Sequence, residues 1–544
     1  MTGLLSRPGR PRIEAAGLLD ASLAIARRHW VFVTVMAAGL VLRVLAQIAY
    51  RPALLYIDTI KYLYNAYQGA DPLGYDAPLK AILSVGNLST VTAVQHLLGL
   101  TMAAAIYVIL LRRATPRWLA GLAAAPVLLD AYQIQIEQTI MPDVWFEALL
   151  VAGIAILLIP AVSEVKSQAG NGQPRNGQPC NGQPGLARGL VAVIIAGLLL
   201  GASATVRQVG EILILPALLY LVVVGGGWRK VVIREAAFAV AFAVAVVGYM
   251  AGSYVFSGHF WLANATPSVS TYGRMATAAD CATLRIPRYE RVLCPTARQR
   301  AFGIDWLDHD SASPLKTYVA PTGMNPYAVI ASFDRQVAEQ QPLRVAAAIA
   351  ADGAKLFALT RTSSQDGTPI SRWQFQEFYP TYGNWVMLDR HLTIVLGLRL
   401  TPGSPVITLH PLDSSYGGRA TVDKPVAVFL RSYQLRGGYA PGPLMAVFAI
   451  AGLAGSLLAF RRGHSGQRSS LGLACLLFFA AGAAVLVASD VFQFSWRYQL
   501  PALLTLPPAG VAGLTMAWTY LSARARPGGR AARTKTAGPG KPSG

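Results

Sequence analysis

The chain has 544 residues, of which 53% are hydrophobic and only 13% charged. That composition excludes an ordinary soluble enzyme, because globular domains carry about 25% charged residues. Lys and Arg number 47 against 26 acids, a net charge of +21; most of the excess lies in short connections and tails beside apolar runs, which points to membrane topology and not to nucleic acid.

Runs of about 20 apolar residues, each long enough to cross a hydrocarbon core as a helix, recur along the chain. The periodicity predicts an all-α polytopic membrane protein of about ten spans, near 30-50, 92-111, 118-134, 142-160, 189-205, 210-226, 235-256, 441-460, 470-488 and 500-521. Residues 1-29 read as a cytoplasmic N-terminal segment; without a small-residue cleavage site, the first apolar run is expected to be an uncleaved helix. Residues 30-256 hold the first seven spans, the first external loop at 51-91 and a turn-rich repeat, NGQPRNGQPCNGQPG, inside a cytoplasmic linker at 163-188 that is expected to be disordered. Residues 257-440 form a large external domain of mixed α/β character, 441-521 the last three spans, and 522-544 a basic cytoplasmic tail.

On this topology the basic clusters fall on one side: Arg27 and Arg28, Arg112 and Arg113, Lys166 and Arg188, Arg229 and Lys230, Arg461 and Arg462, and the tail from Arg524. Both termini are then cytoplasmic and the protein is a multi-pass plasma-membrane protein with its site on the external face. Arg207 and Arg497 are the exceptions, basic residues at external helix ends.

In the first external loop Tyr56, Ile60, Leu63 and Tyr67 recur at helical spacing and predict an amphipathic helix on the membrane surface. In the external domain, 342-360 reads as a helix against the membrane and 406-412 as a strand. Cys180 lies in the cytoplasmic repeat and Cys475 in a span, so Cys281 and Cys294 are left to pair as a disulfide in the oxidising compartment.

Ionisable groups at a membrane edge are costly and therefore candidates for function. Asp58 follows the first span on the external side, with Lys61 one turn on. Asp130, Glu137, Asp143 and Glu147 crowd the connection between the third and fourth spans without a nearby basic residue. Two converging acids suit a general base, or a divalent cation such as Mg²⁺ or Mn²⁺ with Asp58 and Asp143 as ligands. Arg207 and Arg497, helped by Lys61 and Lys80, are candidates for holding a lipid phosphate, which a guanidinium grips bidentately.

Six stretches in order resemble the GT-C superfamily of integral membrane glycosyltransferases, which includes protein mannosyltransferases, aminoarabinose transferases and arabinosyltransferases. They are LRVLAQIAYRPALLYIDTIKYLYNAY, GYDAPLKAIL, QHLLGLTMAAAIYVILLRR, IEQTIMPDVWFEALL, GASATVRQVGEILILP and WRYQLPALLTLP. The resemblance implies an inverting transfer of a hexose or pentose from a polyprenyl-phosphate carrier to an external cell-wall glycan, glycolipid or protein. Asp58 would be the catalytic acid/base residue and Asp143 or Glu137 the second acid. No acidic pair surrounds Asp58, so the sequence leaves metal dependence open. The rival reading is a transporter or flippase of a lipid-linked substrate, whose site would lie at the bilayer midplane between inverted repeats. No internal repeat is visible among the spans.

Overall fold

The computed structural model describes residues 24–56, 58–64, 72–158, 184–263, 267–363, 367–379, 385–388, 393–396, 416–418, 420–459 and 466–524. In chain order, α1 is Trp30–Ala49, β1 Tyr50–Arg51, α2 Thr59–Tyr64, α3 Asp76–Leu83, α4 Leu88–Arg112, α5 Arg117–Leu129, α6 Ala131–Gln138, α7 Asp143–Leu158 and α8 Pro184–Val206. A 3-10 helix at Gln208–Leu213 leads into α9, Ile214–Val224, and then α10, Trp228–Ser257. The turn-rich repeat, the strand expected at 406-412 and most of both expected tails lie outside the described residues.

Every expected span carries a helix. Among the described residues six helices are long and apolar enough to cross a membrane, or seven if the pair Arg117–Leu129 and Ala131–Gln138, bent by 50°, counts as one. Asp130 sits at that bend: its carboxylate accepts from Tyr132 N at 3.0 Å and caps α6. The segment expected at 210-226 is only a short apolar helix, and α7 has 16 residues.

Helices pack where side chains are small. Gly197 and Gly201 of α8 lie so close to α10 that a Cβ on either would stand 2.6 Å from Phe238 O or 2.5 Å from Phe242 O. Such a small-xxx-small pair allows backbones to approach when lipid provides no hydrophobic drive between helices. Inside the bundle, Arg43 of α1 is buried yet fully partnered: Nε and Nη2 donate to Glu137 at 2.8 and 2.7 Å, and the guanidinium also reaches Leu128 O and Val127 O. A guanidinium so deep persists only with its charge and donors satisfied.

The described part of 257-440 is mainly helical: α11 Pro267–Ala278, α12 Ala297–Arg300, α13 Ile304–His309, α14 Pro314–Thr317, α15 Pro326–Gln340, α16 Pro342–Ala354 and α17 Lys424–Leu435. Strand content is small, with β2 (Trp385–Leu388) and β3 (Thr393–Leu396) antiparallel to each other and β4 (Thr421–Val422) antiparallel to β1. This insert is tied to the spans. The helix expected at 342-360 ends its α-helical part at Ala354 and packs on α11 and on α19. The helices over the last three expected spans are α18 Gly442–Ala459, α19 Gly466–Phe492 and α20 Pro501–Arg524. Cys281 and Cys294 form a disulfide with their Cα atoms 6.1 Å apart, and Cys475 is a buried free thiol.

Candidate functional site

Distant helix ends meet at the end of the bundle that carries the insert. The expected helix of the first loop is described over Thr59–Tyr64, with Tyr67 outside the described residues; Asp58 stands immediately before it and Lys61 N donates to Asp58 O at 3.0 Å. The loop is docked by Gly74, whose N donates to Thr205 O at 2.9 Å at the end of α8; a Cβ there would stand 2.4 Å from that oxygen, so only glycine allows the approach. One residue after α8, Arg207 takes an extended backbone (φ −142°), and Pro142 begins the turn into α7. The end of α19 and the turn before α20 contribute Ser489, Gln493, Arg497 and Tyr498.

These residues line one open cavity of about 380 Å³, together with Asp308, His309 and Lys316 of the insert. Four cations, Lys61, Arg207, Lys316 and Arg497, face it. Arg497 Nη1 donates to Asp58 Oδ2 at 3.0 Å, Lys61 Nζ lies 3.1 Å from Asp58 Oδ1, and Arg497 Nε lies 3.5 Å from Asp143 Oδ1. Arg207 also pairs with Asp143, which is buried behind the cavity wall. Tyr498 serves both arginines, its ring 4.9 Å from the Arg207 guanidinium and 4.8 Å from that of Arg497, while Trp373 of the insert lies 5.0 Å from Arg497. Cation–π contacts keep such guanidinium planes fixed.

Burial pushes the Asp58 carboxyl up, but Lys61 and Arg497 outweigh it and hold the carboxyl well below the usual carboxylate range. Burial likewise opposes the charge on Arg497, and Asp143, Tyr498 and Asp58 more than compensate, raising its pKa well above the ordinary value. Asp58 is therefore an ionised, weakly basic group.

The crowded acids are also not unpartnered, as their sequence neighbourhood suggested. Asp130 accepts from Arg361 at 2.6 and 3.2 Å and from Ala440 N at 2.9 Å. Glu137 does not face the cavity: it binds Arg43, and His96 at 2.9 Å. Glu147 Oε2 accepts from Gln133 at 2.7 Å in the interior. Lys80 is half exposed, pairs with Asp76 at 3.1 Å and is absent from the cavity wall. Of the residues singled out in sequence, the fold thus joins Asp58, Lys61, Arg207 and Arg497 around the cavity with Asp143 at its back, and sets Glu137 and Lys80 apart. Sequence reasoning passed over Asp308, Lys316 and Gln493, which carry no local pattern; Tyr498 stands inside the WRYQLP stretch without having been singled out.

A divalent cation fits poorly. Among the described residues no group of three or more His, Cys, Asp or Glu side chains is arranged to hold a metal, and Asp58 and Asp143 already have cationic side chains as partners.

No family model matches the chain, and no curated protein matches it. Among solved structures it is similar to the oligosaccharyltransferase of Archaeoglobus fulgidus in the apo form, with a TM-score of 0.40 and 12% identity over 91% of this chain and 51% of that one. It is also similar to the archaeal oligosaccharyltransferase AglB from Archaeoglobus fulgidus in complex with an inhibitory peptide and a dolichol-phosphate, with a TM-score of 0.39, 12% identity and 92% and 52% of the two chains covered. For ArnT from Cupriavidus metallidurans bound to undecaprenyl phosphate the values are 0.30, 13%, 90% and 78%. The chain spans about half the length of the archaeal enzyme.

Proposed function

We propose that this chain is an integral membrane glycosyltransferase of the GT-C type, moving a sugar from a polyprenyl-phosphate carrier to a hydroxyl-bearing acceptor on the external face, with inversion at the anomeric carbon. The observation that carries the reading is the cavity where Lys61, Arg207 and Arg497 converge beside Asp58. A phosphate there meets two guanidinium groups whose planes are held by aromatic rings, with an ammonium beside them. Preorganised cations aimed at an oxygen that gains charge stabilise a departing phosphate in the transition state more than in the bound donor.

Asp58 is the catalytic carboxylate of this reading. Held ionised, it places negative charge beside the anomeric carbon as that carbon becomes positive, and Asp143 orients Arg207 and Arg497 from behind. Lys61 and Arg497 exchange part of their contact with Asp58 for the donor phosphate, which ties donor binding to the state of the carboxylate. The cavity's place at helix ends, under a folded insert, suits an enzyme that admits an external acceptor better than it suits a carrier with a midplane site.

Incubation of purified protein in nanodiscs with a panel of polyprenyl-phosphate sugars, read as release of free polyprenyl phosphate and as labelled product, tests the reading. Release from at least one donor, reduced by about 100-fold or more in Asp58→Asn, is expected. Vectorial movement of intact donor across the bilayer without release of sugar would favour the carrier instead.

A further inference from the structure

An inverting transfer to a hydroxyl needs a group to receive that hydroxyl's proton, and Asp58, held by Lys61 and Arg497, is poorly basic. The insert offers another carboxyl in the lining of the same cavity. α13 ends on Asp308 and His309, and α14 carries Lys316, so all three line the same cavity as Asp58. Asp308 is 8% exposed, and its Oδ1 accepts from Gly273 N at 2.7 Å. Gly273 makes that seat: a Cβ there would stand 2.6 Å from both carboxylate oxygens. Among the described residues Asp308 makes no ion pair, unlike Asp58 and Asp143.

Resting on the transferase reading above, we propose that Asp308 takes the proton from the acceptor hydroxyl, so that the insert forms the acceptor side of the cavity. The acceptor oxygen bonds to the anomeric carbon as the bond from that carbon to the phosphate oxygen breaks. The electron pair of that bond stays on the phosphate, facing Arg207, Arg497 and Lys61, while the hydroxyl proton passes to the Asp308 carboxylate and leaves to water after the product departs.

The surroundings of Asp308 suit a proton acceptor that works near neutrality. Asp305 and His309 lie on its own helix, Lys316 on α14, Tyr272 on α11 and Asp334 on α15, with Lys61, Arg207 and Arg497 in the lining of the same cavity. Burial raises the Asp308 carboxyl to about 8 against the pull of the Gly273 hydrogen bond; Asp334 and Asp305 add to the rise and Lys316 opposes it. Only the ionised form accepts a proton, so the rate climbs with pH and levels off above that value.

The test uses the full-length protein in nanodiscs with its donor, following transfer from pH 5.5 to 9.5, alongside binding of sugar-free polyprenyl phosphate. Wild type is expected to show a rate limb near pH 8. Asp308→Asn, which keeps the acceptor for Gly273 N, should lose that limb and at least about 100-fold in rate while binding polyprenyl phosphate as before. Asp334→Asn, which removes the neighbouring carboxylate, should keep the limb but move it to lower pH. Wild-type behaviour of Asp308→Asn overturns the assignment, as does a limb that survives in Asp308→Asn and vanishes in Asp58→Asn. Loss of polyprenyl-phosphate binding in Asp308→Asn would mark a structural role and also overturn it. Absence of transfer by wild type from any lipid-phosphate sugar sinks the transferase reading and this assignment together.

Discussion

Arg497 and Asp58, 439 residues apart in sequence, are joined by an ion pair of 3.0 Å across the cavity. The contact closes the last spans onto the first loop, and the same guanidinium reaches back to Asp143 with Nε. Replacing Arg497 by Lys keeps the charge but not the fork that spans two carboxylates. Transfer by Arg497→Lys should fall at least about 100-fold, the loss typical of a preorganised electrostatic donor, with weaker binding of polyprenyl phosphate. Wild-type values for both would remove Arg497 from the donor site.

Asp58→Asn should separate chemistry from binding. The substitution frees Lys61 and Arg497 from a carboxylate, so sugar-free polyprenyl phosphate is expected to bind at least as tightly as to wild type while transfer drops by about 100-fold or more. Titration of labelled polyprenyl phosphate against both proteins checks it; a loss of binding parallel to the loss of transfer would show that Asp58 supports the site and not the reaction.

Glu137 is expected to matter for stability. Arg43 is buried with Glu137 as its carboxylate partner, so Glu137→Ala strands a charge inside the bundle, a change that costs about 3–5 kcal/mol in buried pairs. Thermal unfolding in detergent should show a large drop for Glu137→Ala, and a double Arg43→Met, Glu137→Leu variant should recover much of it. An unchanged melting temperature in Glu137→Ala would contradict the pairing.

The insert should lose stability as pH rises. Burial raises Asp334 to about 7 from the ordinary 3.8, despite the hydrogen bond donated by Thr271. A carboxyl whose folded pKa is raised favours the folded state while protonated: that contribution is complete below the unfolded pKa and is lost as pH climbs through about 7. Melting temperatures between pH 5 and 9 should therefore decline for wild type and decline less for Asp334→Asn, with Asp308 supplying the remaining slope.

Gly201→Leu should separate α8 from α10, because a side chain there meets the Phe242 backbone. Lower yield of monodisperse protein and a lower melting temperature are expected; a melting temperature equal to that of wild type would show that the crossing is looser than the close approach indicates.

Local chemistry in the sequence marked the helices and their order well. Apolar runs predicted where each span lies, since a helix that crosses lipid satisfies its own backbone and needs only length and hydrophobicity. The same rule is blind to breaks within a run: Asp130 caps a new helix and bends the third segment, and a 3-10 turn after Arg207 precedes the short sixth helix. Asp58, Lys61, Arg207 and Arg497 were legible as candidates because charge at a helix end in a membrane protein is conspicuous. Asp308 and Lys316 were not, since a polar insert is full of Asp and Lys and only contact with the helix ends distinguishes these two.

By itself, the sequence determined a polytopic helical chain with a large polar insert, conspicuous charges at helix ends, and two cysteines sharing a compartment, because composition and periodicity act locally along the chain. Tertiary structure alone decided which charges meet. Glu137 and Asp143, six residues apart, part company because the chain bends between α6 and α7: one faces Arg43 inside the bundle and the other backs Arg207 and Arg497 at the cavity. Ion pairing depends on distance in space, so a carboxylate that looks solitary in sequence is neutralised by a residue hundreds of positions away, as Asp130 is by Arg361.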